Sequence, residues 1–385
     1  MINYGRQWID EDDIEAVVNV LQSDFLTQGP KVKDFESTIC KYTGAKYCVV
    51  VSSGTAALHL AVSSLGIESN NEGITSPNTF MASANCMIYC GIKPTFADID
   101  DKTYCIDINE IEEKINRKTK LIIPVHFAGQ PCDMKKINEL AKKHDIYVVE
   151  DASHALGAKY EDGSKVGNCK YSDLTVFSFH PVKTITSGEG GAITTNNKEL
   201  FNRILLLRNH GITKDNTKFN IKHSSLNEPW YHEMQCLGYN YRLSDIHASL
   251  GISQLKKLDR FVKRRRDIVY KYNKAFRSIE WITMPYEKHD VYSAFHLYVL
   301  QFDFDRIGKS RKNVMLELRG KNIGTQVHYI PVYSHPYYQK QYGYDQKEYP
   351  NMEYYYKTAL SIPLYPSMSD DNVNYVIINI KELYE

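Results

Sequence analysis

Apolar residues recur at helical spacing over Asp10–Asp24, where Ile14, Val17, Val18 and Leu21 follow an acidic first turn, and that spacing predicts a helix. A second helix is expected over Val32–Tyr42, stopped by Gly44. From there short apolar runs alternate with longer amphipathic segments. Strands are expected at Tyr47–Val51, Thr95–Ile99, Leu121–His126, Ile146–Glu150, Leu174–Phe179 and Ala192–Thr195. Helices are expected at Thr55–Leu65, Thr79–Tyr89 and Met134–His144. Strands alternating with helices predict an α/β fold, a mainly parallel sheet covered on both faces.

The texture changes from Leu243. A helical pattern runs to about Phe276 with an interruption near Leu258-Asp259. Beyond it, Ala294–Phe302 alternates like an antiparallel strand, Arg311–Arg319 reads as a helix, Tyr-rich loops cover 329–356, and Asp370–Leu383 closes as a helix. The expected organisation is a large α/β domain over 1–255 and a smaller α+β domain over 256–385. With 385 residues the chain has enough core for both.

A formal net charge of +1 gives no reason to expect nucleic acid as a partner. The one dense basic run, Lys263-Arg264-Arg265-Arg266, reads as a solvated helix face. No stretch approaches the roughly 20 apolar residues of a membrane span, and the opening Met1–Trp8 lacks a signal peptide's apolar core. Eight scattered cysteines without a Cys-x-x-Cys pair suit buried thiols in a reducing compartment. A cytoplasmic protein without a metal site is expected.

The candidate chemistry sits where strands end. Asp151 follows the strand Ile146–Glu150, at the carboxyl end where open α/β sheets place ligands. Lys183 follows Leu174–Phe179 and precedes Gly188-Glu189-Gly190-Gly191. An aspartate can keep a pyridine nitrogen protonated, and a lysine of lowered pKa can condense with an aldehyde; pyridoxal 5′-phosphate (PLP) needs both. Ser53, Gly54 and Thr55 open a helix after an apolar strand, a phosphate cup or an ordinary serine cap. Ser178 offers a further hydroxyl, His154 a contact to the ring hydroxyl, and Phe80 a ring to stack on the cofactor or to pack in the core. Asn240, in Gly238–Leu243, is placed for an anion, and Val327–Tyr333 reads as an aromatic loop of the kind that lines sugar or nucleotide sites.

Together the segments Leu26–Pro30, Ser53–Leu58, Glu150-Asp151, Ser178 with Lys183, Gly188–Gly191 and the Asn240 segment resemble the DegT/DnrJ/EryC1/StrS family of sugar-nucleotide aminotransferases. The resemblance runs from Tyr4 to at least Tyr333. It implies a fold type I PLP enzyme with a seven-stranded, mainly parallel sheet, in which Lys183 is the Schiff-base lysine and Asp151 the ring-nitrogen partner. It places Ser53, Gly54, Thr55 and Ser178 on the phosphate and His154 on the ring hydroxyl. Asn240 would complete the phosphate site from a second subunit, so a homodimer with composite sites is implied. The lysine also separates the chain from a dehydratase branch that has histidine there.

His180–Thr186 and Val327–Tyr338 look most like the pseudaminic acid branch. That branch implies a UDP-4-keto-6-deoxy-N-acetylhexosamine as acceptor, L-glutamate as donor and a product bound for flagellin or surface polysaccharide. By analogy Tyr4, Phe25, Leu26, Thr27, His328 and Tyr329 would contact the UDP-sugar. Another 4-ketosugar is the alternative acceptor. A regulatory protein that binds PLP without turnover would have no need of an intact Lys183 and Asp151.

Overall fold

The computed structural model describes residues 1–221 and 228–384. A sheet of seven strands lies at its centre: β1 (Tyr47–Val51), β2 (Glu72–Thr75), β3 (Lys93–Phe96), β4 (Thr119–Ile123), β5 (Tyr147–Asp151), β6 (Leu174–Ser178) and β7 (Gly191–Thr195). Their spatial order is β1-β7-β6-β5-β4-β2-β3. Neighbours run parallel except at β7, which is antiparallel to both β1 and β6. Apolar runs such as Cys48–Val51 are buried throughout, as strands covered on both faces must be.

The expected elements are found with shifted ends. The first two helices span Glu11–Leu21 and Pro30–Thr43, the latter closed by Gly44 at φ 88°. The helix expected over Thr79–Tyr89 begins only at Ala82. The long helical region divides into Asp245–Leu255 and Leu258–Phe276, at the interruption in the pattern. Strand β2 has no counterpart in the sequence reading. Its four residues include Gly73, where an added Cβ would stand 2.4 Å from Met87 Sδ, so close packing removes the apolar side chain that would have marked the strand.

Two apolar clusters organise the molecule. The first surrounds the seven-stranded sheet and takes in Val332, Tyr333, Tyr338, Tyr349, Met352 and Tyr355 from the segment expected as loops, which instead contains the short helices Pro336–Tyr342 and Pro350–Thr358, each opened by its proline. The second joins Ile268, Tyr272 and Phe276 to a three-stranded antiparallel sheet (Ile282–Thr283, Tyr298–Phe302, Ala359–Ile362) and to the helices Arg311–Gly320 and Asp370–Lys381.

The basic run 263–266 is not a solvated face. Arg265 is fully buried and donates from Nη1 to the carbonyls of His296 (3.1 Å) and Leu364 (2.8 Å). Arg264 donates to Met368 O and Asp370, and Arg266 to Glu287. Four consecutive residues sweep roughly 300° of a helix, so on a helix with one buried face at least one must point inward. Among the described residues no helix is long and apolar enough to cross a membrane.

Candidate active site

The carboxyl ends of β1, β4, β5 and β6 open into a cleft of about 930 Å³. After β1 the chain turns directly into the helix Gly54–Leu65, and Ser53 caps it, its Oγ accepting the Ala56 N–H at 3.0 Å. The two readings of this serine are therefore compatible: it caps the helix while Gly54 and Thr55 line the cleft. Amides in the first helical turn have no intrahelical acceptor and carry the positive end of the dipole, which suits an anion. Gly54 lies so close to β6 that a Cβ there would meet Ser178 Cβ at 2.8 Å, and a Cβ at Gly191 would stand 2.4 Å from Ser53 O. Glycine is required at both places by close approach.

Asp151 ends β5 with both carboxylate oxygens engaged. Oδ2 accepts from Ser83 Oγ at 2.6 Å and Oδ1 from the Ser153 N–H at 3.1 Å. Glu150 points to the opposite face of the sheet. There the side chains of His126 (2.7 Å), Tyr160 (2.6 Å), Thr175 (3.0 Å) and Ser172 surround it. Burial raises the Glu150 carboxyl, but these partners outweigh it and hold it below its ordinary value. His126 Nδ1 accepts the Cys132 N–H at 3.1 Å, so Nε2 carries the proton donated to Glu150.

Lys183 stands in the same cleft, its amine drawn down from 10.5 to about 8 by burial, while Asp151 pulls the other way. Desolvation alone therefore lowers it. His154 Nε2 lies 3.1 Å from Tyr329 Oη and its ring 4.4 Å from that of His296, while its buried Nδ1 has no partner. Burial first, then the Lys183 charge, holds His154 well below the usual imidazole range, and His328 falls to about 3 for the same reasons. His296 is likewise depressed, by burial and then by His154. His154, His296 and His328 are thus neutral hydrogen-bonding groups at pH 7.

In the unfolded chain Lys183 keeps its ordinary value of 10.5, against about 8 in the fold. Below pH 8 it is charged in both states, and the buried charge destabilises the cofactor-free protein. Between pH 8 and 10.5 the folded protein sheds the proton first, so stability from this group rises with pH. Cofactor-free Lys183→Met is expected to melt above the native protein at pH 7, with the gap closing toward pH 10.5; a gap independent of pH in calorimetry would contradict the assignment.

The structure gathers most of the residues expected from the sequence. Tyr4, Ser53, Gly54, Thr55, Phe80, Asp151, His154, Ser178, Lys183, His328 and Tyr329 all line the cleft. Phe80 is 54% exposed, so it is available as a cover for a ligand rather than packed in the core. Phe25, Leu26, Thr27 and Asn240 do not line it. Phe25 and Leu26 are exposed, Thr27 bridges to Ser244, and Asn240 bridges to Asn209. Ser83 and His296 were missed. Neither offered a local signal: the helix that carries Ser83 begins only at Ala82, beyond Thr79, and His296 is a lone histidine in a strand pattern.

PLP fits these residues on two counts. The unpartnered Nδ1 of His154 is available to a ring substituent, and the Gly54–Ser178 approach frames a cup at a helix start with no side chain filling it. Among the described residues no group of His, Cys, Asp or Glu is placed to hold a metal ion.

The chain matches the family model for DegT/DnrJ/EryC1/StrS aminotransferases over residues 7–381. It is 43% identical to the spore coat polysaccharide biosynthesis protein SpsC of Bacillus subtilis, covering 99% of this chain and 96% of that one. It is 40% identical to the UDP-4-amino-4,6-dideoxy-N-acetyl-beta-L-altrosamine transaminase of Campylobacter jejuni, covering 98% and 96%. The fold matches Helicobacter pylori PseC, an aminotransferase involved in the biosynthesis of pseudoaminic acid, with a TM-score of 0.91 at 32% identity over 100% and 99% of the two chains.

Proposed function

The chain belongs to the DegT/DnrJ/EryC1/StrS aminotransferase family, whose members are PLP enzymes, and on that premise we propose that it moves the amino group of L-glutamate to C4 of UDP-2-acetamido-2,6-dideoxy-β-L-arabino-hex-4-ulose, giving UDP-4-amino-4,6-dideoxy-N-acetyl-β-L-altrosamine. The observation that carries this reading is the meeting of Lys183 and Asp151 in one large cleft whose wall includes Tyr4, His328 and Tyr329, all uncharged and able to hydrogen-bond. Such a wall suits the hydroxyl and acetamido groups of a sugar.

Bound in the cleft, PLP supplies an aldehyde to carry the amino group and a ring to draw off the electrons of the breaking bond. Ser53, Gly54, Thr55 and Ser178 would hold its phosphate, Asp151 would pair with the ring nitrogen, His154 Nδ1 would meet the ring hydroxyl, and Phe80 would cover the ring. Lys183, once its amine is free, carries the proton to or from sugar C4 as general acid and base. An amine near pH 8 can do both, since neither form is scarce at neutral pH.

Phe25, Leu26, Thr27 and Asn240, which lie outside this chain's own cleft, are assigned to the cleft of a second copy in a homodimer. Trp230, Met234 and Leu237, in the segment before Asn240, are large apolar side chains left exposed, which supports the assignment.

Incubation with glutamate and the UDP-4-ketosugar, followed by mass spectrometry and NMR of the product, tests the reading. An amine at C4 in the L-altro configuration is expected. The likeness to a spore coat polysaccharide protein, at 43% identity, favours a second reading in which another nucleotide-linked 4-ketosugar is the acceptor. Product from such a sugar and none from the L-arabino-hexulose would select it.

A further inference from the structure

We propose that Ser83 is a positioning residue for Asp151, with Thr79 behind it, and that this hydroxyl pair fixes the orientation of the carboxylate toward the cofactor's ring nitrogen. The proposal rests on Asp151 being the ring-nitrogen partner, and it adds two residues that act through Asp151.

Ser83 is fully buried and Thr79 is 3% exposed, so neither hydroxyl has water as an alternative partner. Ser83 Oγ is 2.6 Å from Asp151 Oδ2, against 3.4 Å from the Phe80 carbonyl, the local acceptor a helical serine ordinarily uses. The distances decide between the two acceptors: Ser83 spends its hydrogen on Asp151. Thr79 Oγ1 lies 2.7 Å from Ser83 Oγ. An ionised carboxylate has no hydrogen to give and the serine hydrogen is already committed, so Thr79 must donate to Ser83.

The chain therefore runs one way, from Thr79 through Ser83 to Asp151, and each donated bond strengthens the next. A hydrogen bond to the charged form of a carboxylate favours that form. Of the carboxylate's roughly four acceptor positions, Ser83 and the Ser153 amide occupy two, one on each oxygen, and so fix its plane. The remaining positions are free for the ring N–H.

Three variants test this: Ser83→Ala, which removes the hydroxyl; Ser83→Thr, which keeps it; and Thr79→Val, which removes the outer hydroxyl at nearly constant shape. Each is measured for PLP affinity, for the pH titration of its visible absorbance when loaded, for the rate of spectral change with glutamate, and for melting without cofactor. Ser83→Ala is expected to weaken PLP binding and slow the glutamate reaction by about 10- to 100-fold, the worth of one hydrogen bond to a charged group, and to shift the absorbance titration.

The cofactor-free Ser83→Ala protein should melt within a few degrees of native. Ser83→Thr should recover most of the loss, and Thr79→Val should move in the same direction by less. A titration and PLP affinity within twofold of native in Ser83→Ala would overturn the proposal. So would a Ser83→Thr protein as impaired as Ser83→Ala, because the effect would then be packing. If Ser83→Ala does not fold, an unchanged titration in Thr79→Val overturns it. Affinity and absorbance need no amino donor, so a native protein inert to glutamate would sink the proposed function and leave this test standing.

Discussion

Replacing Lys183 by alanine is expected to reduce amino transfer by at least about 10³-fold, since proton transfer by a placed side chain alone contributes about 10²–10⁴ and the covalent hold on PLP goes as well. No other amine in the cleft can substitute. Its remaining nitrogen bases are the imidazoles of His154, His180, His296, His328 and His335, and none can form the linkage a primary amine forms. Borohydride reduction of the loaded native protein should fix the cofactor to a peptide containing Lys183, and the alanine protein should yield no such peptide. Turnover by Lys183→Ala within tenfold of native would remove the basis of the proposed function.

Asp151→Asn is expected to slow the glutamate reaction by about 10²–10³-fold, the usual cost of losing one preorganised electrostatic partner. The side chain stays almost the same size, and its amide oxygen can still accept the Ser153 N–H, while its NH2 must donate to Ser83 Oγ where the carboxylate accepted. What disappears with that acceptor is the negative charge that favours a protonated ring. The defect should therefore fall on the chemical step while the melting temperature of the cofactor-free protein changes little. Stopped-flow absorbance with glutamate measures it, and a rate within fivefold of native would argue that another group protonates the ring.

The strand–turn–helix at 47–65, Asp151 and Lys183 were legible in the sequence for one physical reason. Each follows an apolar run whose length and β-branching mark a buried strand, and its chemistry sits at that strand's end. What was hidden is whatever depends on distant segments meeting. Ser83 reaches Asp151 across 68 residues, and nothing local to either predicts the bond. Strand β2 was masked because Gly73 stands where Met87 leaves no room for a side chain. Arg265 was misread because a run of like charges does not reveal which of its members meets buried carbonyls. The reading of His154, by contrast, gains an atom: the unpartnered Nδ1 is the part of the ring that a ligand can use.

Within the seven-stranded sheet, β1 is bonded to the rest only through β7, since it pairs with no other strand there. The segment that supplies Ser53, Gly54 and Thr55 is thus anchored beside Ser178 by residues 191–195, which come later in the chain than either. During synthesis on the ribosome, the anion cup cannot close until Thr195 has emerged. A ligand held at this cup would therefore meet it complete only once β7 has paired with both β1 and β6.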